Sequence, residues 1–199
     1  MKNKKAKKGK LFVITGPSGV GKGTILDKFF DNNGNDVCYS VSMTTRNPRP
    51  SEVNGVNYFF VSRDEFKTAV QNDEFLEWAE YSGNYYGTNK KFVEEKLNEG
   101  TNVILEIETK GAKKIMEKFP DCITVFFAPP DLNELESRLR GRHTEDENSI
   151  KKRLDIVKFE LSMIERFKYN IVNDEVENAY NKLQAIYDFE TARKEDLNR

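Results

Sequence analysis

The chain has 199 residues, 37% hydrophobic and 33% charged, with a formal net charge of -1. That length suits one domain, or a core with smaller inserted subdomains, and is enough to bury a sizeable core. The near-balance of charge argues against a general polyanion binder, so no specific nucleic-acid partner is expected.

Residues 1–10 are the exception. Lys2, Lys4, Lys5, Lys7, Lys8 and Lys10 form a basic tail, expected to be a solvated, disordered terminus rather than a contact for RNA or acidic lipid. It lacks the apolar core of a signal peptide, and no apolar run approaches the length that spans a bilayer. Cys38 and Cys122 are isolated and the chain has a single histidine, which rules out the usual zinc spacings. A reduced, cytoplasmic protein without membrane contact is the expectation.

Leu11-Phe12-Val13-Ile14 reads as a buried strand and Ile25 to Phe30 as a helix. Between them lies Gly16-Pro17-Ser18-Gly19-Val20-Gly21-Lys22-Gly23-Thr24. Strand, glycine-rich turn and helix start, in that order, make a phosphate cradle. Glycines let successive N–H groups converge on one anion, the helix N-terminus adds partial positive charge, and Lys22 adds a full one. Gly16, Gly21 and Lys22 match G-x-x-x-x-G-K, but Gly23 stands where the strict pattern places Ser or Thr. Thr24 is the nearest hydroxyl, which leaves metal ligation through water open.

Val37 to Ser42 reads as a strand and Met43 to Asn57 as a stiff polar loop presenting Arg46 and Arg49 among prolines. Val56 to Val61 returns to strand, and Ser62-x-x-Glu65 is a capping box opening a helix over Asp64 to Gln71. Phe75 to Tyr81 and Asn84 to Gly87 form a hairpin turned at Ser82-Gly83. Residues 41–88 are thus a small, mainly β insertion. An amphipathic helix follows Asn89 and stops at Gly100. Val103 to Glu108 is a buried strand ending in carboxylates, of which Glu106 is the candidate metal neighbour. Gly111 to Phe119 is a helix, Cys122 to Ala128 a strand. Asp131-x-x-Glu134 caps a helix through Leu139, and Thr144-x-x-Glu147 caps a longer one through Ile164. Tyr169 to Asn173 is the last strand, with a terminal helix from Val176 to about Arg193. Apolar strands alternating with helices predict an α/β fold with a parallel sheet covered on both faces.

Arg138, Arg140, Arg142 and Arg153 gather around Gly141. Phosphoryl transfer needs positive charge around the equatorial oxygens and exclusion of water, and arginines on a hinged flap supply both. Helical spacing turns Arg140 away, and His143 receives no role.

Together with the cradle, Ser42-x-Thr44-Thr45-Arg46-x-Pro48-Arg49, Glu52-x-Asn54-Gly55-x-x-Tyr58, Phe75-x-Glu77-Trp78-Ala79, Gly83-Asn84-Tyr85-Tyr86-Gly87-Thr88 and Arg138-Leu139-x-Gly141-Arg142 resemble the guanylate kinase family. The likeness runs from about Leu11 to the last helix. It departs at Glu106, where many relatives carry Asp, and at Lys110, where many carry Gln. It implies a P-loop kinase core (11–40, 89–130, 169–199), a GMP-binding subdomain (41–88) and a helical lid (131–168). It implies transfer of the ATP γ-phosphoryl to GMP, giving GDP and ADP, with Mg²⁺ accompanying ATP and dGMP also accepted, in a monomer or homodimer.

By the same likeness Arg46, Arg49, Tyr58 and Tyr86 would hold the GMP phosphate, while Ser42, Glu77, Thr88 and Glu108 would read guanine. Gly16 through Thr24 would hold ATP, with Asn173 near adenine, and Arg138, Arg142 and Arg153 would close over the phosphates. Guanine presents N1–H and its 2-amino group as neighbouring donors, and a carboxylate such as Glu77 accepts both; adenine offers an acceptor there instead. Two other readings stand beside this one. A catalytically dead binding module would lack the intact cradle and lid arginines, and a related kinase would take another acceptor such as AMP.

Overall fold

The computed structural model describes residues 8–34, 37–81, 83–140 and 147–192, without the side chains of 138–140 and 147–153. In chain order the elements begin with β1 (Leu11–Thr15), α1 (Lys22–Asn33), β2 (Val37–Tyr39), β3 (Met43–Thr44) and β4 (Phe59–Phe60). Next come α2 (Arg63–Gln71), β5 (Phe75–Tyr81), β6 (Asn84–Asn89), α3 (Lys90–Asn98), β7 (Asn102–Glu106) and α4 (Thr109–Lys118). The chain continues with β8 (Ile123–Ala128), α5 (Leu132–Arg140), α6 (Glu147–Leu161), β9 (Tyr169–Val172) and α7 (Val176–Thr191). A five-stranded sheet has the order β2-β7-β1-β8-β9, and a four-stranded sheet the order β4-β3-β6-β5. The fold is the expected α/β one, a parallel sheet flanked by helices.

Two compact units divide the chain: Met1–Val13 with Asn35–Cys122, and Ile14–Gly34 with Ile123–Arg199. In the first, β2 runs parallel to β7, with Val37 opposite Asn102 and Tyr39 opposite Ile104. Val103, Ile104 and Leu105 are buried, as the continuous apolar run predicts. The four-stranded sheet has its own core, Phe66, Ala69 and Phe75, ringed by Met43, Val61, Val70 and Tyr85. Phe66 stacks on Phe75 with ring centroids 4.6 Å apart. Its helix α2 starts on the predicted capping box: Ser62 Oγ accepts from Glu65 N, and the Glu65 carboxylate accepts from Ser62 N.

In the second unit β8 is buried throughout and pairs in parallel with β9, Val125 opposite Tyr169. α1 lies against α7, where Phe29 meets Tyr187 edge-on at 5.2 Å and Asn33 and Gln184 exchange amide hydrogen bonds. Leu135 of α5 and Val157 of α6 form a small buried cluster with Leu154 and Leu161. Among the described residues no helix is long and apolar enough to cross a membrane.

Several element limits differ from the expectation. The strand from Val37 ends at Tyr39, because the Ser42 and Thr44 carbonyls accept the N–H groups of Phe59 and Val61. That pairing makes Met43–Thr44 a strand where a loop was expected. The strand expected over Val56 to Val61 shrinks to Phe59–Phe60, since Val53 to Tyr58 is spent on a turn through Gly55 at φ 78°. Glu108 is not in β7 but is the N-cap of α4, its carbonyl accepting from Ala112 N. The helix expected to reach Ile164 stops at Leu161, and Ile164–Arg166 is a separate 3-10 turn. The basic tail through Lys7, Ser82 of the hairpin turn, and Thr144 of the second capping pattern lie outside the described residues.

Gly87 on β6 sits under the Phe75 ring: a Cβ there would lie 2.7 Å from two ring carbons. Phe75 is pinned by its stack on Phe66 and has little freedom to yield. Gly87→Ala is expected to cost about 1–3 kcal/mol by overpacking. Urea unfolding checks this through a lower midpoint at an unchanged slope.

Candidate active site

The cradle lies in the second unit. β1 delivers the chain to Gly16 at φ 141°, where a Cβ would lie 2.2 Å from the Phe127 carbonyl oxygen. Gly19 at φ 87° and Gly21 at φ 95° also take left-handed backbone. Such alternation lets consecutive N–H groups face one point, as an anion nest requires. The buried Val20 side chain anchors the loop from below. Asn173, just past β9, donates from Nδ2 to the Val20 carbonyl at 2.6 Å and from its backbone to Ala128. A Cβ on Gly21 would strike that same Nδ2, so Asn173 sits against the turn.

α1 starts at Lys22 and its N-cap Gly21 offers no side-chain acceptor, which leaves the helix N-terminus suited to an anion. The Lys22 ammonium donates to the carbonyls of Gly16 at 2.7 Å and Pro17 at 3.2 Å. It is held over the loop on a stem that can turn to an arriving phosphate. Nothing comes within 4 Å of a Cβ built on Gly23, and Thr24 is exposed. Gly23, the departure from the strict P-loop pattern, and Thr24, the nearest hydroxyl, therefore both stand at an open surface.

The first unit gathers the other candidates. Glu77 on β5 is directly opposite Thr88 on β6, and Thr88 Oγ1 donates to Glu77 Oε1 at 2.9 Å. Both are buried, Thr88 completely. Burial pushes the Glu77 carboxyl above the ordinary value; Thr88, Lys114 and Lys118 pull it back, and Glu108 adds to the rise. Ser42 is buried just before β3. A buried carboxylate with one oxygen engaged by a hydroxyl is a strong acceptor for a ligand's paired N–H groups.

Arg46 lies over the rings of Tyr58 and Phe60, at 5.4 and 5.7 Å, and Tyr58 meets Tyr86 edge-on at 6.0 Å. Glu52 takes the Arg46 guanidinium in a two-point pair at 2.8 and 2.9 Å, and also accepts from the Arg49 backbone N–H at 2.7 Å. These bonds raise the Arg46 pKa and, against the opposing effect of burial, hold Glu52 below the usual carboxylate range. The Arg49 side chain is exposed, its guanidinium 4.0 Å from Glu52. Tyr58 is pushed up to about 12, first by burial and then by the charge of Glu106. It stays a phenol at any working pH, so it can donate to an anion.

Glu106, at the end of β7, accepts from the Tyr39 hydroxyl at 3.3 Å, and both Glu106 and Glu108 are close enough to act on Tyr58. Among the described residues no three acids, histidines or cysteines converge as a metal cage. Arg138 lies on α5 and Arg153 on α6, with side chains outside the description; Gly141, Arg142 and His143 lie outside it altogether. Sequence reading gave Glu52 no role, although its spacing from Arg46 and Arg49 places an acid within reach of both. Lys114 and Lys118 carried no signal, since a lysine in an amphipathic helix looks like solvated surface.

The guanylate kinase family profile matches residues 8–190. A guanylate kinase of Mesoplasma florum is 52% identical over 186 residues, 94% of this chain. The chain spans 61% of that relative's length. The crystal structure of guanylate kinase from Anaplasma phagocytophilum superposes with a TM-score of 0.79 at 31% identity, covering 94% of this chain and 89% of that one. On the matched length, the identity and the shared fold, this chain belongs to the guanylate kinase family.

Proposed function

We propose that the protein is an ATP:GMP phosphotransferase, moving the γ-phosphoryl of ATP to GMP to give GDP and ADP. The buried Glu77–Thr88 pair carries the reading, because it offers guanine the acceptor it needs and faces adenine with the wrong one. Ser42 and Glu108 complete the base site, and Arg46, Arg49, Tyr58 and Tyr86 take the GMP phosphate. These groups address base and phosphate rather than the sugar, so dGMP is accepted as well. Gly16 through Thr24 hold the ATP phosphates, and Asn173 belongs to the same side.

The division of labour follows the assigned residues: a GMP-binding subdomain over 41–88, a lid over 131–168 and a core from the rest. Arg138, Arg142 and Arg153 bring charge to the transferring phosphoryl when the lid closes. Lys22 leaves the Gly16 and Pro17 carbonyls to follow the charge as it develops.

Mg²⁺ fits the donor set only as an ion shared with the nucleotide. Glu106 is a single partly buried carboxylate, and Mg²⁺ usually takes one or two carboxylates plus substrate phosphates. When bound it neutralises charge on the phosphate oxygens. The free thiols Cys38 and Cys122 suit a reducing compartment, and the cytoplasm is the proposed location.

A coupled assay with GMP, dGMP, AMP, CMP and UMP tests the reading: turnover is expected with the two guanine nucleotides, and turnover preferring AMP would overturn it. Glu77→Gln replaces one acceptor oxygen with a donor and is expected to raise the GMP dissociation constant far more than that of ATP. Isothermal titration of each nucleotide measures this, and equal losses would remove Glu77 from base recognition. Lys22→Ala is expected to lower kcat roughly a hundred- to thousandfold, the scale on which a transition-state charge contact is lost. Unchanged turnover would exclude Lys22 from the transfer step.

A further inference from the structure

Among the described residues β5 is an edge strand of its sheet, with β6 as its one neighbour. Backbone carbonyls at alternate positions of such a strand point away from the partner and need another donor. On β5 two of them are Leu76 O and Trp78 O, on either side of Glu77. Lys118 donates its ammonium to Leu76 O and Lys114 donates to Trp78 O. The Lys114 ammonium also lies over the Trp78 ring, 5.3 Å from its centroid.

Both lysines are on α4, and so is Gly111. Positions 111, 114 and 118 are spaced i, i+3, i+7 and share one helical face. A Cβ on Gly111 would lie 2.6 Å from Glu77 Oε2 and 3.1 Å from its carboxyl carbon. Glycine inside a helix is unfavourable by about 1 kcal/mol relative to alanine. Here it leaves the volume that the carboxylate occupies. The strand register also shifts between Phe75 and Glu77, so the ladder alone does not fix how Glu77 is presented.

We propose that this face of α4 positions Glu77 for guanine: Gly111 by admitting the carboxylate, and Lys114 and Lys118 by tying down the carbonyls on both sides of it. The proposal rests on the guanine-reading role given to Glu77. The same two ammonium groups act electrostatically. They share with Glu77, Asp73 and Trp78 the lining of a cavity of about 130 Å³. The groups facing Glu77 are Thr88 from β6, Lys114 and Lys118 from α4, and Glu108 from the α4 N-cap. Asp73, across the cavity, is paired with Lys90. Removing the two lysines withdraws the positive charge that opposes the rise in pKa of Glu77. Its pKa then rises further, and the carboxylate that guanine needs is lost at a higher pH.

The test is isothermal titration of the full chain with GMP and, separately, ATP, across about pH 5 to 8, the range in which raised carboxyl groups are read. The variants are K114M, K118M, K114M/K118M, K114R/K118R, G111A and E77Q. Each lysine is expected to be worth about fivefold in GMP affinity, the scale of one net hydrogen bond. The acid limb of GMP binding moves to higher pH in the double methionine variant and returns in the arginine pair, with ATP affinity unchanged throughout. The GMP phosphate titrates alike for every variant, so the ratio to wild type isolates the protein group.

G111A, measured on folded protein, is expected to weaken GMP and leave ATP affinity unchanged, a split that a merely structural role for α4 would not produce. If E77Q weakens GMP but the folded lysine variants and G111A leave both affinity and acid limb in place, the positioning role is overturned and the base reading survives. If E77Q itself leaves GMP binding intact, the base reading fails and the positioning role falls with it.

Discussion

A carboxylate taken out of water must be given partners or lose its charge, and the first unit is arranged around that demand at Glu77. Thr88 supplies one hydrogen bond from the facing strand, and the absence of a side chain at Gly111 supplies room. Burial still wins in part, since the Glu77 carboxyl remains raised. In the proposed reading, two donors arriving on one edge of a purine would relieve the same deficit that burial creates, so that recognition and desolvation act on one group. A base that brings an acceptor leaves the deficit in place and adds repulsion, which is why such a site can discriminate steeply.

The cradle in the second unit meets the opposite requirement. It must concentrate positive potential without burying a full charge, and it does so with backbone. Gly16 and Gly21 are held to glycine twice over, by positive φ and by neighbours that a Cβ would strike. Gly23 is under neither constraint. The departure from the strict P-loop pattern thus falls at a position whose surroundings impose no geometry, and the nest is unaffected by it.

How much of this was legible in the chain depended on whether the physics is local. The cradle could be read because positive φ demands glycine and the spacing between strand and helix is fixed by geometry. The α2 capping box could be read for the same reason: its two hydrogen bonds join residues three apart. Strand limits were less legible. Met43–Thr44 is too short to show alternation, and it became a strand through pairing with residues far along the chain. Glu77 and Thr88 face each other across a hairpin whose register a bulge shifts, so residue types alone did not pair them; the motif likeness did. Lys114 and Lys118 stayed invisible because what distinguishes them is which carbonyls they reach.

Glu52 shows how far such a hidden partner matters. Arg46 without it would be a long cation with many rotamers, and a phosphate would have to order it on arrival. With it, the guanidinium is fixed in plane by two hydrogen bonds, and the tyrosine and phenylalanine rings cover its face. Ion pairs this near the surface contribute little to folding stability. Their value lies in prepaid order: three of the five guanidinium donors go to Glu52 and Asn47, and Tyr86 engages the guanidinium as well, so its orientation is set by the protein. Because Glu52 also holds the Arg49 backbone, one carboxylate sets both the Arg46 side chain and the loop beside it. Orientation rather than net charge is what this carboxylate contributes, and in the proposed reading that orientation presents the GMP phosphate as the nucleophile that attacks the γ-phosphorus of ATP.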